Sequence, residues 1–390
     1  MAYERCGVAS AGFGFLFAFV VVCLNLRIAL SGIGPLIPVF DLGQATVTVL
    51  TMIPPLCMGL FAPLGALTRR IMGEERALFV AMLVLTVGIA IRSAGIAGLF
   101  VGTVVASVAI AVLNVLTPVL VRKRVPSNRV GPMMVLYAML MGCGAAVIAA
   151  ATIPIFTVTG SWSIALGIAI IPALVGVAAL STQLWVPDDR IPAVTTQPVG
   201  KQVLRNRTAW SVTGFFSIQT VLFYTLIAWL PAILLAQGAD TAIAGFYFAL
   251  LLVGVAAGGF LGPAWAGSRA DQQTPIAVTI VLCVVGVVGV LTVPFSAVAP
   301  LVVLLGVGLG AGQGIPGVLY LRRAVDQQTA AQLSSMAQTV GYLVAATGPV
   351  VAAVLRERTG GWTWPLVLLL VLLAVNAVIS RAAGRGGAGT

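Results

Sequence analysis

Long apolar stretches recur along the whole chain and restrict its possible folds more than any other feature. About 20 mostly apolar residues suffice to cross the hydrocarbon core of a bilayer as an α-helix, and membrane-spanning backbone must satisfy its own hydrogen bonds. We predict twelve such spans, at 11–38, 43–68, 77–95, 98–121, 131–157, 162–185, 209–236, 241–267, 275–294, 298–321, 332–354 and 361–380. None alternates apolar and polar residues over about ten positions, as a membrane β-barrel strand does. The sequence therefore predicts an all-α membrane protein.

Composition excludes several classes of function. Charged residues make up 8% of the chain, against about 25% in soluble domains. The net charge is +11, but the basic residues form short clusters between spans and no continuous basic surface, so we expect no nucleic-acid partner. The chain has no histidine and its five cysteines are scattered, so we expect no disulfide, metal or cofactor. Without a constellation of acids, bases and nucleophiles, the sequence does not predict an enzyme.

The distribution of Lys and Arg predicts the orientation. If the amino terminus is cytoplasmic, 17 of the 21 Lys and Arg residues lie on the cytoplasmic side, as the positive-inside rule requires. The three that fall on the opposite side are Arg92, Arg356 and Arg358. We therefore expect a multi-pass protein of the plasma or inner membrane with both termini in the cytoplasm.

The spacing of the spans predicts two six-helix halves, residues 1–186 and 209–390, joined by a cytoplasmic linker at 187–208. This is the layout of a transporter whose site lies between two halves near the bilayer midplane. The linker is too short to hold a soluble output domain, which argues against a membrane sensor. We predict a monomer whose partners are the lipid bilayer and a small-molecule anion.

Segments of three spans resemble a known family. The first span contains Asn-Leu-Arg at 25–27 and Ser-Gly-Ile-Gly-Pro-Leu at 31–36, the seventh has Leu-Ile-Ala-Trp-Leu-Pro at 226–231, and the eleventh has Met-Ala-Gln-Thr-Val-Gly-Tyr at 336–342. On these segments, and over nearly its whole length, the chain resembles the major facilitator superfamily and, within it, the cyanate/2-nitroimidazole transporter family (CynX/NimT). The resemblance implies the major facilitator fold and a substrate that is cyanate, a similarly small anion or a planar nitrogen compound. The loop after the second span has Arg69 where many members have Asp, so their gating ion pair is not implied here.

Arg27 is the charged residue that lies deepest within an apolar span. A rise of about 1.5 Å per residue places it roughly 16 Å below the Pro38 end of the first helix, and a charge at mid-bilayer costs about 2.5–3.5 kcal/mol by insertion scales. No Asp or Glu lies within a predicted span to neutralise it, and an unpaired buried charge is expensive. A guanidinium offers a planar fork of donors that suits small anions, so we expect Arg27 to anchor an anionic substrate. The alternative is a structural Arg that bonds to helix carbonyls or to a neighbouring polar side chain.

Polar and aromatic residues in two other spans are candidates for the rest of the binding site. In the seventh span Gln219 and Phe223 lie one turn apart with Tyr224 beside them, and each serves either the substrate or helix packing. In the eleventh span Gln338 and Tyr342 lie one turn apart and offer amide and phenol hydrogen bonds.

Three further polar residues complete the candidate set. Asn25 is two residues from Arg27, about 200° around the helix, so it reaches the site only through a distortion or else bonds to another helix. Asn114 in the fourth span and Tyr137 in the fifth are the others. Separately, Gly306, Gly310 and Gly314 in the tenth span indicate close helix packing or a flexible gate.

These observations predict a transporter of a small anion that works by alternating access. The spans hold no carboxylate, which favours uniport, anion exchange or a proton carried with the substrate over a carboxylate relay. The alternative is efflux of small organic compounds such as nitroimidazole-like drugs. Pumps for cationic drugs usually place acids, not a lone Arg, in their cavity.

Overall fold

The secondary structure is helical throughout the part of the chain that the structure, a computed structural model, describes, namely residues 2–40, 42–185 and 200–384. The prediction of an all-α protein is confirmed. The α-helices, in chain order, are α1 (Ala2–Ser31), α2 (Ile33–Leu36), α3 (Gln44–Met72), α4 (Glu74–Arg92), α5 (Ile96–Arg124), α6 (Ser127–Thr159), α7 (Trp162–Gly167), α8 (Ile170–Ser181), α9 (Lys201–Arg205), α10 (Arg207–Ala236), α11 (Thr241–Ser268), α12 (Gln273–Thr292), α13 (Ala299–Arg323), α14 (Gln327–Ala345), α15 (Thr347–Thr359) and α16 (Thr363–Gly384). Short 3-10 turns lie at Ile37–Val39, Thr182–Trp185 and Phe295–Ala297.

Eleven helical segments of the described residues are long and apolar enough to cross a membrane. They overlap eleven of the predicted spans. The remaining predicted span, 77–95, falls on α4, which begins with Glu74 and Glu75 and ends with Arg92. Charges at both ends of this 19-residue helix set it apart from the eleven, so the count of twelve stays a prediction. Of the predicted linker, residues 187–199 lie outside the described residues, and α9 and the start of α10 occupy the rest.

Three of the spans are interrupted by a short turn. The turns lie between α1 and α2 at Gly32, between α7 and α8 at 168–169, and between α14 and α15 at Ala346. A proline follows three residues after each turn: Pro35, Pro172 and Pro349. Proline lacks an N–H and clashes with the carbonyl four residues earlier, so it fits the first turn of a new helix better than a helix interior. Each proline therefore favours the start of a second segment, although α3 continues through three prolines.

Glycines bring α11 and α13 into backbone contact. The facing residues are Gly254, Gly258 and Gly262 on α11 and Gly306, Gly310 and Gly314 on α13. A Cβ added to Gly258 would lie 2.7 Å from the carbonyl carbon of Val307, and one added to Gly310 would lie 2.7 Å from the backbone nitrogen of Gly259. The close packing expected of the tenth span is confirmed.

The helices before and after the linker meet along two seams. In the first, α6 packs on α11, where a Cβ at Gly142 would lie 2.9 Å from the backbone nitrogen of Ala256. In the second, α3 packs on α14, where a Cβ at Gly59 would lie 3.1 Å from the backbone nitrogen of Leu343. These seams bring the span formed by α1 and α2 to α10, where a Cβ at Gly34 would lie 3.1 Å from the carbonyl oxygen of Ile227, and so position the candidate site.

An ion-pair cluster ties the ends of α3, α4 and α5 together. Arg69 Nε lies 2.8 Å from Glu74 Oε1, and Arg124 Nη2 lies 2.7 Å from Glu75 Oε1. Lys123 Nζ lies 3.4 Å from Glu74 and 3.3 Å from Glu75. Arg69 thus pairs with Glu74 at the start of the next helix, α4.

Candidate functional site

Arg27 lies on α1, about one turn before the interruption at Gly32, and faces α10. Its guanidinium carbon lies 5.0 Å from the centroid of the Phe223 ring. Phe223 is only 2% exposed, whereas Arg27 is partly exposed. The buried ring therefore supports the cation from one side. Within the described residues, no carboxylate forms an ion pair with Arg27.

Tyrosines surround the guanidinium. Tyr224 stands edge-on to Phe223 at 5.3 Å between ring centroids, and its hydroxyl donates to Met58 Sδ at 3.0 Å. The same hydroxyl is a hydrogen-bonding partner of Arg27, so its oxygen accepts from the guanidinium. Tyr342 lies 6.3 Å from Tyr224 between centroids and is close enough to interact electrostatically with Arg27. The cluster thus joins α1 and α3 to α10 and α14, which come later in the chain.

A polar pair on α5 and α6 completes this cluster. Tyr137 on α6 donates its hydroxyl to Asn114 Oδ1 on α5 at 2.9 Å, and Tyr137 also lies within electrostatic range of Arg27. Both residues are partly exposed. Because the Asn114 oxygen is occupied, its amide N–H groups are the donors that this pair can offer a ligand.

The structure does not bring every candidate residue to this cluster. Asn25 is fully buried and donates from Nδ2 to the carbonyls of Val21 and Pro172, both at 2.8 Å, which is the helix-to-helix role expected from its position on α1. Gln219 is also fully buried, next to Gly312, with its Oε1 3.8 Å from the Cys283 sulfur.

Gln338 takes an intermediate position. It lies on α14 one turn before Tyr342, is partly exposed, and donates to Ser334 Oγ at 2.9 Å. Its connection to the cluster is the helix α14, which it shares with Tyr342, rather than a contact with Arg27.

Sequence reasoning missed three residues around the site. Phe216 packs edge-on against Tyr342, with 5.7 Å between the ring centroids. It precedes Phe223 by seven residues on α10, and because residues two turns apart lie on one face of a helix, this spacing could have predicted that the two rings share a face. Met58 and Tyr320 had no such signal. The Tyr320 hydroxyl, close to Tyr342, is buried and has no partner among the described residues.

A polar cluster between membrane-spanning helices is typical of a class of protein, the helical membrane transporters. Residues 15–349 match the model of the Major Facilitator Superfamily. The chain therefore belongs to the major facilitator superfamily, in the group of cyanate and 2-nitroimidazole transporters, as the sequence resemblance implied.

Individual relatives agree with this membership over almost their full length. The chain is 34% identical to the 2-nitroimidazole transporter of Escherichia coli (strain K12) over 377 residues, 94% of each chain. It is 28% identical to the cyanate transport protein CynX of the same organism, over 89% of this chain and 91% of CynX. It is 32% identical to the uncharacterized transporter YycB of Bacillus subtilis (strain 168), over 96% and 94%.

Solved structures show the same fold. A bacterial homologue of the human lysosomal transporter Spinster, in an inward-facing and occupied conformation, superposes with a TM-score of 0.75 over 97% of each chain. The identity is 14%, so this likeness concerns the fold alone.

Proposed function

We propose that this protein transports a small, cyanate-like anion by alternating access, with Arg27 as the anion anchor. The observation that carries the proposal is a partly exposed arginine with no carboxylate partner among the described residues, whose guanidinium is held over Phe223 between α1 and α10. A small linear or planar anion satisfies both the charge and the fork of donors.

The neighbouring side chains have distinct roles in this proposal. Tyr224 orients the guanidinium by accepting from it while donating to Met58. Tyr342 and the Asn114 amide supply further hydrogen-bond donors to the far end of the anion. Phe223 supports the cation and keeps water from its buried side.

The proposal includes the architecture expected from the sequence. Twelve helices form two halves, 1–186 and 209–390, which rock about the site, and both termini lie in the cytoplasm. The protein acts as a monomer in the plasma or inner membrane. Because the spans lack carboxylates, coupling proceeds by uniport, anion exchange or a proton that travels with the substrate.

A second candidate function is efflux of small nitroimidazole-like compounds. Two observations favour it: the aromatic rings of Phe223, Tyr224 and Tyr342 lie around Arg27, and the chain is 34% identical to a protein named a 2-nitroimidazole transporter. Flat heteroaromatic rings stack on such side chains, and a nitro group has two oxygens that a guanidinium fork fits.

Thermal stabilisation of the purified protein separates these functions. Cyanate, other small anions and neutral 2-nitroimidazole are each added to the wild type, Arg27→Lys and Arg27→Gln. A ligand at 100 times its Kd adds about 2.7 kcal/mol to the apparent stability of the state that binds it. We expect cyanate to stabilise the wild type. It should stabilise Arg27→Lys only weakly, because the fork of donors is lost, and it should not stabilise Arg27→Gln.

Arg358→Gln is the matched control, since Arg358 is exposed in the last turn of α15. It should respond to cyanate as the wild type does. Equal stabilisation of the wild type and Arg27→Gln by cyanate would refute the anchor. Stabilisation by 2-nitroimidazole with no response to any anion would favour the efflux function.

A further inference from the structure

A second guanidinium is buried more completely than that of Arg27. Arg92, the last residue of α4, is 1% exposed. It donates from Nη1 to the carbonyl of Ala29 and from Nη2 to the carbonyl of Leu166 at 3.5 Å. Ala29 lies in the last turn of α1 and Leu166 in the last turn of α7, so both bonds end at the interruption of a span.

The guanidinium of Arg92 faces helix ends rather than an acid. Within the described residues no carboxylate forms an ion pair with it. The carboxyl ends of α1, α4 and α7 converge on this side chain, and carbonyls at helix carboxyl ends carry partial negative charge. These partial charges favour a cation at this point.

The bond to Ala29 links Arg92 to the anion anchor. Ala29 is two residues after Arg27, about 200° around the helix, so Arg92 holds α1 from the side opposite to the Arg27 side chain. Beyond Ala29 the helix is interrupted at Gly32, so the helical hydrogen bonds of α1 end within a turn of Arg27. The orientation of this last turn therefore depends on what its carbonyls bind.

We propose that Arg92 is a positioning residue for the transport site. It fixes the last turn of α1 against α7 and so sets the direction in which Arg27 presents its guanidinium to the substrate. Arg92 itself does not touch the substrate. The inference rests on the proposed function, because it assigns Arg92 a role through the Arg27 anchor.

The test uses cyanate uptake into proteoliposomes that contain the full-length protein. The variants are Arg92→Lys, Arg92→Gln, Arg27→Gln, the double variant Arg27→Gln/Arg92→Lys, and Arg358→Gln as the control. Lys keeps the positive charge among the three helix ends, so this variant should fold, but its donors share one nitrogen and cannot reproduce the fixed, separated donor geometry of the guanidinium fork.

We expect Arg92→Lys to raise the KM for cyanate at least about tenfold with kcat changed less than about twofold, because the loss concerns binding geometry rather than the transport step. In the Arg27→Gln background the same change should have no further effect on KM, since coupled residues are not additive.

Two results would overturn the inference. One is an Arg92→Lys protein with wild-type KM and a lowered melting temperature, which would make Arg92 merely structural. The other is full additivity in the double variant. If Arg92→Gln fails to fold, Arg92→Lys alone decides. If Arg27→Gln leaves the KM for cyanate unchanged, the proposed function itself fails. If Arg27→Gln raises this KM but Arg92→Lys does not, only the role of Arg92 is rejected.

Discussion

The contact between α11 and α13 predicts that Gly258→Ala destabilises the protein strongly for so small a change. The added methyl would lie 2.7 Å from the carbonyl carbon and 2.8 Å from the Cα of Val307. Favourable carbon–carbon separations are about 3.5–4.0 Å, so the helices must separate by roughly 0.8 Å or more, and the carbonyl oxygen of Val307 would be nearer still. Both neighbours are backbone atoms, so no side-chain rotation relieves the clash.

Overpacking of this kind costs about 1–3 kcal/mol and sometimes more. The loss in melting temperature is roughly 2–4 °C per kcal/mol for chains of 150–250 residues and about 1 °C per kcal/mol for a chain of this length, so we expect Gly258→Ala to melt about 1–4 °C below the wild type. The assay is thermal denaturation of the purified protein in detergent at a fixed heating rate, because unfolding of such proteins is often irreversible.

Gly317→Ala is the matched control. Gly317 lies inside α13, and a Cβ there would have no atom within 4 Å. Replacing a glycine by alanine in an unobstructed helix position stabilises by about 0.5–1 kcal/mol, so this variant should melt at or above the wild-type temperature. Equal melting temperatures for Gly258→Ala and Gly317→Ala would refute the backbone contact and the packing argument drawn from it.

Two other variants follow from single side-chain contacts. Tyr224→Phe keeps the ring but removes the hydroxyl that Arg27 uses, so the KM for cyanate should rise roughly five- to tenfold, whereas Tyr247→Phe, outside the cluster, should leave uptake unchanged. Arg323→Gln removes a buried guanidinium that donates to the carbonyl of Ala383 at 2.9 Å and to Gln272 Oε1, just before α12, at 2.7 Å. The melting temperature of this variant should therefore fall by the equivalent of about 1.5–3 kcal/mol. Arg322→Gln changes an exposed neighbour, and a loss as large as that of Arg323→Gln would contradict the assigned role of the buried bonds.

The sequence was most informative about features that depend on one helix. Apolar runs predicted the spans because the bilayer fixes their length. The isolated charge of Arg27 stood out for the same reason. The glycine spacing of the tenth span predicted close packing, since residues four apart share a face, although the facing glycines of α11 were not paired with them.

Features that depend on several helices were not predictable in this way. Gln219 and Phe223 have the same one-turn spacing as many paired site residues, yet Gln219 is buried beside Gly312 while Phe223 contacts Arg27. Arg92 lies at the end of its span and was placed on the outer side as a flanking charge. Arg92 is buried because α1, α4 and α7 end close together around it. No pattern within a single helix predicts that arrangement.

The most direct test of the central claim is paired uptake of labelled cyanate and neutral 2-nitroimidazole by proteoliposomes with wild-type protein or Arg27→Gln. If Arg27 anchors an anion, cyanate uptake at low concentration should fall at least about tenfold, and any uptake of the neutral compound should change far less. Unchanged cyanate uptake in Arg27→Gln, or an equal loss for both compounds, would contradict anion recognition by Arg27.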